Sequence, residues 1–580
     1  MFNDIKKYCI ILVKYTKGEG PYLLIGVVLA IITQICTLTT PFLTRFLIDN
    51  IIGQKNYAFL SSFLFFCLAI LIILFTTMLI GNYLLIRVFR NSGLKFRVDI
   101  FKNLQYAPID FFEKNQSGEI TYRLLQDTTV IENSWSNILI TLPLQCILLI
   151  SGVFMALWNF NLALFVFFIL TIQIIIIIKF RHPLLKYAYL SKAKDQELTG
   201  YTTEHFQRIQ LIRSLCTEKK EQSNFQNKLY DLVKITIRAF MLQKFSNATV
   251  NLVNNLWAFG ILWYGGSQVI AGEMTLGTMT AFLLLTNILY QPISTITNLF
   301  LSFQDIRASL SRLLEYLNLK PNVLESPEAV DYVFKEGSVV LKNVSFGYNS
   351  RLVLRGINLK IPANKIFALV GKSGAGKTTL CKLLVRFYDP NQGTILLDGK
   401  NIKDISLASL RRSILLMLQN NYVFPGTIWE NITYGVEAVN KEDVYNAVKS
   451  AAIDFINILP NGYATPIGPG GVNISVGEAQ RIALARAFLI KPKVLILDEP
   501  TSFIDTDTEN KIKDTLLKLK EKCTIVLIAH RISTLQIADI IAVLNDGQVV
   551  EIGSHQELLL NPDGIYKRIC DSMLKKGRQS

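Results

Sequence analysis

Six long apolar stretches dominate the first 300 residues of the chain and restrict the fold that this part can adopt. They lie at 21–43, 59–81, 135–158, 160–180, 247–267 and 276–300. A helix needs roughly 20 consecutive apolar residues to cross the hydrocarbon core of a bilayer, and each stretch has about that length. Because 51% of the 580 residues are hydrophobic, we predict an all-α domain with six membrane-spanning helices.

The connections between these stretches alternate in length and charge. Those after the first, third and fifth stretches are short, and Arg45 and Lys55 are their basic residues. Those after the second and fourth run for about 50 and 65 residues and are rich in Lys and Arg. Because basic loops stay on the cytoplasmic side, we expect both termini in the cytoplasm and the protein in the cytoplasmic (inner) membrane. These loops also explain the net charge of +16, so we expect no nucleic-acid partner.

Helical apolar periodicity continues from the spans into both long connections, as in LLIRVFRNSGLKFRVDIFKNL. At 1.5 Å per residue, some 25 helical residues would extend a span by about 37 Å beyond the lipid. The sequence therefore predicts two helical arms that reach well below the membrane.

Amide and hydroxyl side chains recur at helical spacing in three of the spans. They are Asn133, Asn137, Thr141 and Gln145, then Asn247, Asn251, Asn254 and Asn255, then Asn287, Gln291, Ser294 and Asn298. Hydrogen bonding between helices is one interpretation, and the wall of a polar, water-accessible pathway is the other. Three stripes are more than helix packing usually requires, which favours the pathway.

The composition becomes that of a mixed soluble domain after a polar, proline-containing segment at 319–336. The apolar strand KIFALV precedes GKSGAGKTTLCKLLVRF, which places the motif G-x-x-x-x-G-K-[ST] between a strand and a helix. In this context backbone N–H groups surround phosphates, Lys377 supplies positive charge and the Thr378 hydroxyl ligates Mg²⁺. We assign nucleotide binding here to Gly371, Ser373, Gly374, Gly376, Lys377, Thr378 and Thr379.

Two further strands end in residues that can act on a phosphate. KVLILDEPTS ends in Asp498, which we expect near the Mg²⁺, and Glu499, which can polarise an attacking water. TIVLIAH ends in His530, which can reach a terminal phosphate. We therefore predict Glu499, His530 and Lys377 as catalytic residues, with Thr378 and Asp498 at the metal.

These motifs, in this order, closely resemble those of ATP-binding cassette (ABC) transporters, and the six spans with two arms resemble the exporter half-transporters. The resemblance implies that Tyr348 stacks on adenine and that Gln419 contacts Mg²⁺ and senses the membrane domain. It also implies that Ser502 and Asp505 communicate across a nucleotide-domain dimer. The turns near residues 111–118 and 202–213 would be coupling helices.

The segment NISVGEAQR occupies the place of the family's Leu-Ser-Gly-Gly-Gln signature, which faces the phosphate loop of the other subunit. Ser475, Gly477 and Glu478 are accordingly expected to contact the nucleotide, with the hydroxyl of Ser475 as a donor. Val476 replaces a glycine, so we expect strain if the position needs a positive φ. Glu478 adds negative charge where donors are required. These departures leave two alternatives open, a working homodimer and one subunit of an asymmetric heterodimer.

The sequence thus predicts a multidomain protein, with an all-α transmembrane domain at 1–318, a linker at 319–336 and an α/β P-loop NTPase domain at 337–580. The predicted function is ATP-driven export of a small amphipathic molecule or peptide by alternating access. Its expected partners are a second half-transporter subunit, membrane lipid and an unidentified substrate. An ATP-gated membrane regulator and a lipid flippase are the weaker alternatives.

Overall fold

The computed structural model describes residues 10–115, 117–348, 351–418, 423–468, 470–500, 504–529 and 531–577. Within its helices, the side chains at 142, 254, 257, 290–291, 293–294, 296–305 and 575–577 are not described. The chain divides into two units. Unit 1 comprises Met1–Tyr106 and Phe112–Leu319, and unit 2 comprises Ala107–Phe111 and Lys320–Ser580.

Upstream of residue 320 the described chain is helical, with short turns. Three stretches, Leu47–Ile52, Arg123–Asp127 and Asn137–Thr141, have the wider π-helical turn. The α-helices are α1 (residues 10–16), α2 (Gly20–Phe46), α3 (Tyr57–Gln105), α4 (Ile109–Lys114), α5 (Ser117–Tyr122), α6 (Thr128–Ser136), α7 (Leu142–Leu148), α8 (Ile150–Trp158), α9 (Phe160–Gln207), α10 (Ile209–Ser214), α11 (Glu218–Ile270) and α12 (Leu276–Leu317).

Local sequence explains where two of the long helices begin. Asn159 caps α9 by accepting a hydrogen bond from the N–H of Leu162 at 3.1 Å. Thr275 caps α12 in the same way, with the N–H of Thr278 at 3.1 Å. A side-chain oxygen at the first turn satisfies a backbone donor that has no partner inside the helix.

Four helical runs in the described part of the chain are long and apolar enough to cross a membrane. They are Ile10–Ile52, Tyr57–Gln105, Ser117–Trp158 and Phe160–Gln207, and Leu276–Leu289 is a shorter apolar helix. Five of the six predicted spans fall within a single helix, and the one at 135–158 falls in a helical run with a turn at Leu149. Large apolar side chains on these runs are widely exposed, as at Phe65 and Ile72. Such exposure is expected where lipid surrounds a helix.

Two buried carboxylates join three helices of unit 1. Glu132 of α6 is 2% exposed, and its Oε2 accepts a hydrogen bond from Nη2 of Arg97 in α3 at 2.8 Å. Arg90, also in α3, forms an ion pair with the same carboxylate at 2.8 Å. Asp127, just before α6, accepts two hydrogen bonds from the guanidinium of Arg312 in α12, each at 2.6 Å. These contacts hold α3, α6 and α12 together at one level of the bundle.

Unit 2 contains a six-stranded sheet and a four-stranded antiparallel sheet. The order in the large sheet is β12-β11-β3-β10-β9-β6, and all its pairs except β11–β12 are parallel. The small sheet has the order β2-β1-β4-β5. The strands are β1 (Val339–Tyr348), β2 (Arg351–Ile361), β3 (Ile366–Gly371), β4 (Gln392–Leu397), β5 (Lys400–Asn401), β6 (Ile414–Met417), β7 (Gly426–Thr427), β8 (Pro466–Ile467), β9 (Val494–Asp498), β10 (Thr524–Ile528), β11 (Ile540–Asn545) and β12 (Gln548–Gly553).

Helices accompany these strands, and two apolar cores fill the space between the layers. Every residue of β3, β9 and β10 is buried, as expected of parallel strands covered on both faces. The helices are α13 (Lys377–Leu384), α14 (Leu407–Ser413), α15 (Ile428–Thr433), α16 (Lys441–Ser450), α17 (Val476–Ile490), α18 (Thr506–Leu519), α19 (Ile532–Leu535), α20 (His555–Leu560) and α21 (Ile565–Gly577).

The segment from Lys320 to residue 336 packs on the rest of unit 2. Phe334 is 1% exposed and belongs to the core that includes β1 and β3. The Asp398 carboxylate accepts hydrogen bonds from four consecutive backbone N–H groups, from Lys335 to Ser338, at 2.7–3.1 Å. This carboxylate therefore fixes the path by which the chain enters β1.

Candidate active site

The phosphate loop connects β3 to α13 at the carboxyl end of the parallel strands. Gly374 and Gly376 have positive φ values of 81° and 104°, a conformation that glycine adopts without strain. Gly376 is also the N-cap of α13, and no side chain caps this helix. The first N–H groups of α13 are therefore directed at the loop, where the positive end of the helix dipole favours an anion.

Lys377 lies inside this loop. Its side chain is 7% exposed, and Nζ donates to the carbonyls of Gly371 at 2.7 Å and Lys372 at 3.1 Å. Burial lowers the pKa of the Lys377 ammonium, and the carboxylates of Asp498 and Glu499 offset this only in part. A buried ammonium held by carbonyl oxygens is well suited to bind a phosphate, which would supply the missing negative charge.

A hydroxyl and a carboxylate converge beside Lys377. The Oγ1 of Thr378 donates to Oδ2 of Asp498 at 3.3 Å, and Asp498 is 8% exposed at the end of β9. Mg²⁺ prefers oxygen ligands and usually binds one or two protein groups together with phosphate oxygens and water. Thr378 and Asp498 match that ligand set, so the residues present fit an Mg²⁺–nucleotide complex.

The residue after Asp498 has an unusual backbone. Glu499 has a φ of 52°, in the left-handed region that residues other than glycine rarely adopt. Its N–H donates to the carbonyl of Ile528 at 3.0 Å, and its own carbonyl accepts from Nε2 of Gln480 at 2.8 Å. Such a conformation costs roughly 1–3 kcal/mol and persists only where surrounding contacts fix it.

Tyr348, at the end of β1, forms another part of the site. Its ring lies perpendicular to that of Tyr388, with centroids 5.4 Å apart, and edge-on to Phe346 at 5.1 Å. Its hydroxyl is 3.5 Å from Oγ1 of Thr379. These contacts hold the ring beside the phosphate loop.

A cavity of about 370 Å³ connects these groups. Its lining consists of Tyr348, Val353, Ser373, Gly374, Gly376, Lys377, Thr378, Thr379, Asp498, Glu499 and Ile528.

Nine of the eleven lining residues, all except Val353 and Ile528, are among those predicted from the sequence. Val353 and Ile528 stand in apolar strands, and nothing in their sequence context distinguishes them from core residues. Gln419, His530 and Ser502 lie outside the described residues.

The predicted signature, Ser475 to Glu478, begins α17 and is not part of the cavity in this single chain. Ser475 is the N-cap, and its Oγ accepts from the N–H of Glu478 at 3.2 Å. The carboxylate of Glu478 returns the contact, accepting from the N–H of Ser475 at 2.7 Å and from its hydroxyl at 2.8 Å. This is a capping box, in which each residue satisfies a donor of the other.

The expectation of strain at Val476 is wrong. Val476 is the first residue of α17 and is not among the described residues with positive φ. A helical backbone suits any L-residue, so the valine changes the shape of the surface and leaves the backbone relaxed. The side chain of Val476 is 60% exposed.

Comparison with known proteins connects this site to a family. A family model described as the ABC transporter transmembrane region matches residues 23–293, and one described as ABC transporter matches residues 354–502. An ATP-dependent lipid A-core flippase from Desulfotalea psychrophila is 34% identical over 545 residues, which are 93% of this chain and 94% of the relative. The chain belongs to the ABC transporter family.

Other relatives of this ABC transporter cover it just as fully. The uncharacterised transporter YfiC of Bacillus subtilis is 34% identical over 97% of this chain and 93% of its own length. The solved structure of a bacterial Atm1-family ABC exporter with ATP bound superposes with a TM-score of 0.81. It is 26% identical and covers 97% of this chain and 98% of that one.

These findings confirm the predicted architecture and function class. The protein has a helical transmembrane domain followed by an α/β nucleotide-binding domain, both in one chain. It is a multi-pass membrane protein that binds ATP, forms a dimer as half-transporters of this fold do, and couples ATP hydrolysis to export.

Proposed function

We propose that this exporter hydrolyses ATP at the cavity beside β3 and moves an amphipathic molecule across the cytoplasmic membrane. The observation that carries the proposal is the convergence of Lys377, Thr378, Asp498 and Glu499 on one cavity. An ammonium, a hydroxyl and two carboxylates in this arrangement form the set that phosphoryl transfer to water requires.

Each residue has a distinct role in the proposal. Lys377 and the N–H groups at the start of α13 bind the outer phosphates, and Tyr348 supports the adenine ring. Glu499 orients and polarises the attacking water, because its carboxylate follows the strand that ends beside the phosphate loop. We assign the contact with the γ-phosphate to His530 from its place in the sequence after β10.

Thr378 and Asp498 are the groups that would hold Mg²⁺, and Gln419 is a third ligand expected from the family resemblance. When bound, Mg²⁺ would neutralise charge that develops on the phosphate oxygens. The 3.3 Å separation of the Thr378 hydroxyl from Asp498 supports this assignment, because one ion can contact both oxygens.

The amide stripes support a polar pathway for the substrate. The side chains of Asn133 on α6, Asn137 in the π turn that follows it, Asn247, Asn251 and Asn255 on α11, and Asn287 on α12 are exposed, whereas Thr141 and Gln145 of the first stripe are half-buried. Gln291, Ser294 and Asn298 of the third stripe lie among the side chains that the structure does not describe. Amides exposed on apolar helices favour a substrate that carries both polar and apolar groups.

We place both termini and unit 2 in the cytoplasm, because the long basic connections stay on that side. The dimer partner in this proposal is a second copy of the chain, and an asymmetric heterodimer is the alternative. The absence of backbone strain at Val476 supports the homodimer. The capping box that engages the Ser475 hydroxyl supports the alternative, because it weakens the phosphate contact of this signature.

A lipid is the second candidate substrate. Lipid A-core flippases from Desulfotalea psychrophila and Syntrophus aciditrophicus are 34% and 32% identical to this chain over more than nine-tenths of its length. Membrane lipid is amphipathic, so the same exposed amides could contact its headgroup.

The test is ATP turnover by the purified full-length chain in liposomes. We expect Glu499→Gln to lower ATP turnover by about 100-fold or more, as loss of a general base does. Glu557→Gln is the matched control, since Glu557 caps α20 and does not line the cavity. Wild-type turnover no faster than that of Glu499→Gln would refute the proposal. Stimulation by amphipathic peptides or by added lipid distinguishes the two substrate candidates, and turnover only with a second subunit favours the heterodimer.

A further inference from the structure

The backbone of Glu499 is held by two hydrogen bonds, one to a neighbouring strand and one from a helix side chain. Its N–H bonds to Ile528 of the neighbouring strand β10 at 3.0 Å. Its carbonyl accepts from the side chain of Gln480, which is 19 residues upstream on α17, at 2.8 Å. Both the N–H and the carbonyl of Glu499 are therefore held by partners on other elements, β10 and α17.

Gln480 is buried more completely than a polar side chain usually is. It is 0% exposed, and its Oε1 has no hydrogen-bond partner among the described residues. An apolar residue would fill this space without leaving a carbonyl oxygen unsatisfied. The hydrogen bond to the carbonyl of Glu499 therefore explains why this buried position holds an amide.

The bond also determines where the Glu499 side chain leaves the backbone. A residue with a φ of 52° directs its Cβ differently from an extended residue, so the left-handed turn sets the direction of the carboxylate after β9. Without the donor from Gln480, the peptide after Glu499 would lose the contact that opposes its relaxation to an ordinary conformation.

We propose that Gln480 is a positioning residue for ATP hydrolysis, which acts by holding the Glu499 carbonyl so that the Glu499 carboxylate reaches the attacking water. The inference rests on the proposed role of Glu499. It also connects two parts of the site through α17. The helix that Ser475 of the signature caps holds, through Gln480, the backbone of Glu499 in the same subunit.

The test compares Gln480→Met with wild type in the full-length protein in liposomes. Methionine keeps the length and volume of the side chain and removes the donor. We expect kcat for ATP hydrolysis to fall by about 10-fold or more, because small displacements of a reacting group are costly. The KM for ATP, and the ATP affinity measured in a Glu499→Gln background, should stay within about twofold, because Gln480 does not line the cavity.

Two further variants keep the test decisive. Gln480→Glu retains the shape and puts an acceptor against the carbonyl, so we expect a larger loss of kcat. Thr515→Val is the control, because it removes a side-chain hydrogen bond to the carbonyl of Ser450 elsewhere in unit 2 and should leave kcat unchanged. Thermal unfolding of each variant verifies that the domain is folded.

The outcomes separate this inference from the function on which it rests. A folded Gln480→Met or Gln480→Glu variant with kcat within about twofold of wild type overturns the positioning role. Equal losses of kcat and ATP affinity overturn it too, because they indicate a collapsed site. If Glu499→Gln itself retains full turnover, the proposed function fails instead.

Discussion

Replacing Glu478 by glutamine tests whether the capping box competes with nucleotide for the signature serine. In the structure both the N–H and the hydroxyl of Ser475 donate to the same carboxylate oxygen, at 2.7 and 2.8 Å. The hydroxyl must leave Glu478 before it can donate to a phosphate on the partner subunit. Glutamine still completes the box with its amide oxygen, and it removes the charge.

The size of the effect follows from these two bonds. A hydrogen bond to a charged group contributes about 1.5–3 kcal/mol, roughly twice the value for a neutral pair. Because Ser475 is exposed, the lower end applies, and the change to glutamine should release the hydroxyl at a gain of about 1 kcal/mol. That energy corresponds to about a fivefold change in an equilibrium constant. Removing a negative charge that would face the triphosphate acts in the same direction.

The assay is the KM for ATP hydrolysis in liposomes, which we expect to fall by about fivefold in Glu478→Gln. The control is Glu557→Gln, which alters the same kind of capping box in α20, where the N–H of Ser554 donates to Glu557 at 2.8 Å. The KM of that control should equal that of wild type. An unchanged or higher KM in Glu478→Gln would show that the hydrogen bond between the Ser475 hydroxyl and Glu478 does not weaken ATP binding.

Two further predictions concern the backbone around the site and the entry of the chain into unit 2. Val476→Gly should change basal ATP turnover by less than about twofold, because no strain is present to relieve; a several-fold rise would mean that the working conformation differs from the helical one. For Asp398→Asn we expect a loss of roughly 1–2 kcal/mol in unfolding free energy at neutral pH. Burial raises the pKa of the Asp398 carboxyl, but hydrogen bonds from Gly337, Glu336 and Ser338 outweigh it and hold the pKa below its usual value. The stabilisation is therefore present above about pH 4 and is lost as the pH falls through the folded-state pKa. Thermal unfolding should show a steeper loss below that pH in wild type than in Asp398→Asn, and parallel profiles would contradict this assignment.

Much of the nucleotide site can be predicted from the sequence, because its residues are close together in the sequence or follow a recognisable strand. The glycines, Lys377 and Thr378 are contiguous, and a phosphate loop works through adjacent backbone groups. Asp498 and Glu499 follow an apolar strand, and parallel strands bring their carboxyl ends to one edge of a sheet. Such features depend on order along the chain, which the sequence contains.

Other features depend on tertiary contacts that no local pattern specifies. The bond from Gln480 to Glu499 requires the packing of α17 against the end of β9, and Gln480 itself stands in an ordinary helical sequence. Likewise, polar composition at 319–336 does not reveal that Phe334 is buried. The capping box at Ser475 and Glu478 is a different case, because the pattern S-x-x-E is local and coincides with the place of the signature.

The carboxylates of Asp127 and Glu132 have a mechanical consequence for unit 1. Their arginine partners are 29–61% exposed, so removing one partner should cost less than the roughly 3–5 kcal/mol of a fully buried ion pair, but it would leave a buried carboxylate unpaired. The contacts therefore oppose the separation of α3, α6 and α12 at this level. Rotation of this three-helix block as a single body is then easier than bending any one of its members. We expect bending instead at the π turns at Asn137–Thr141 and Leu47–Ile52, where the regular α-helical hydrogen-bond pattern is interrupted.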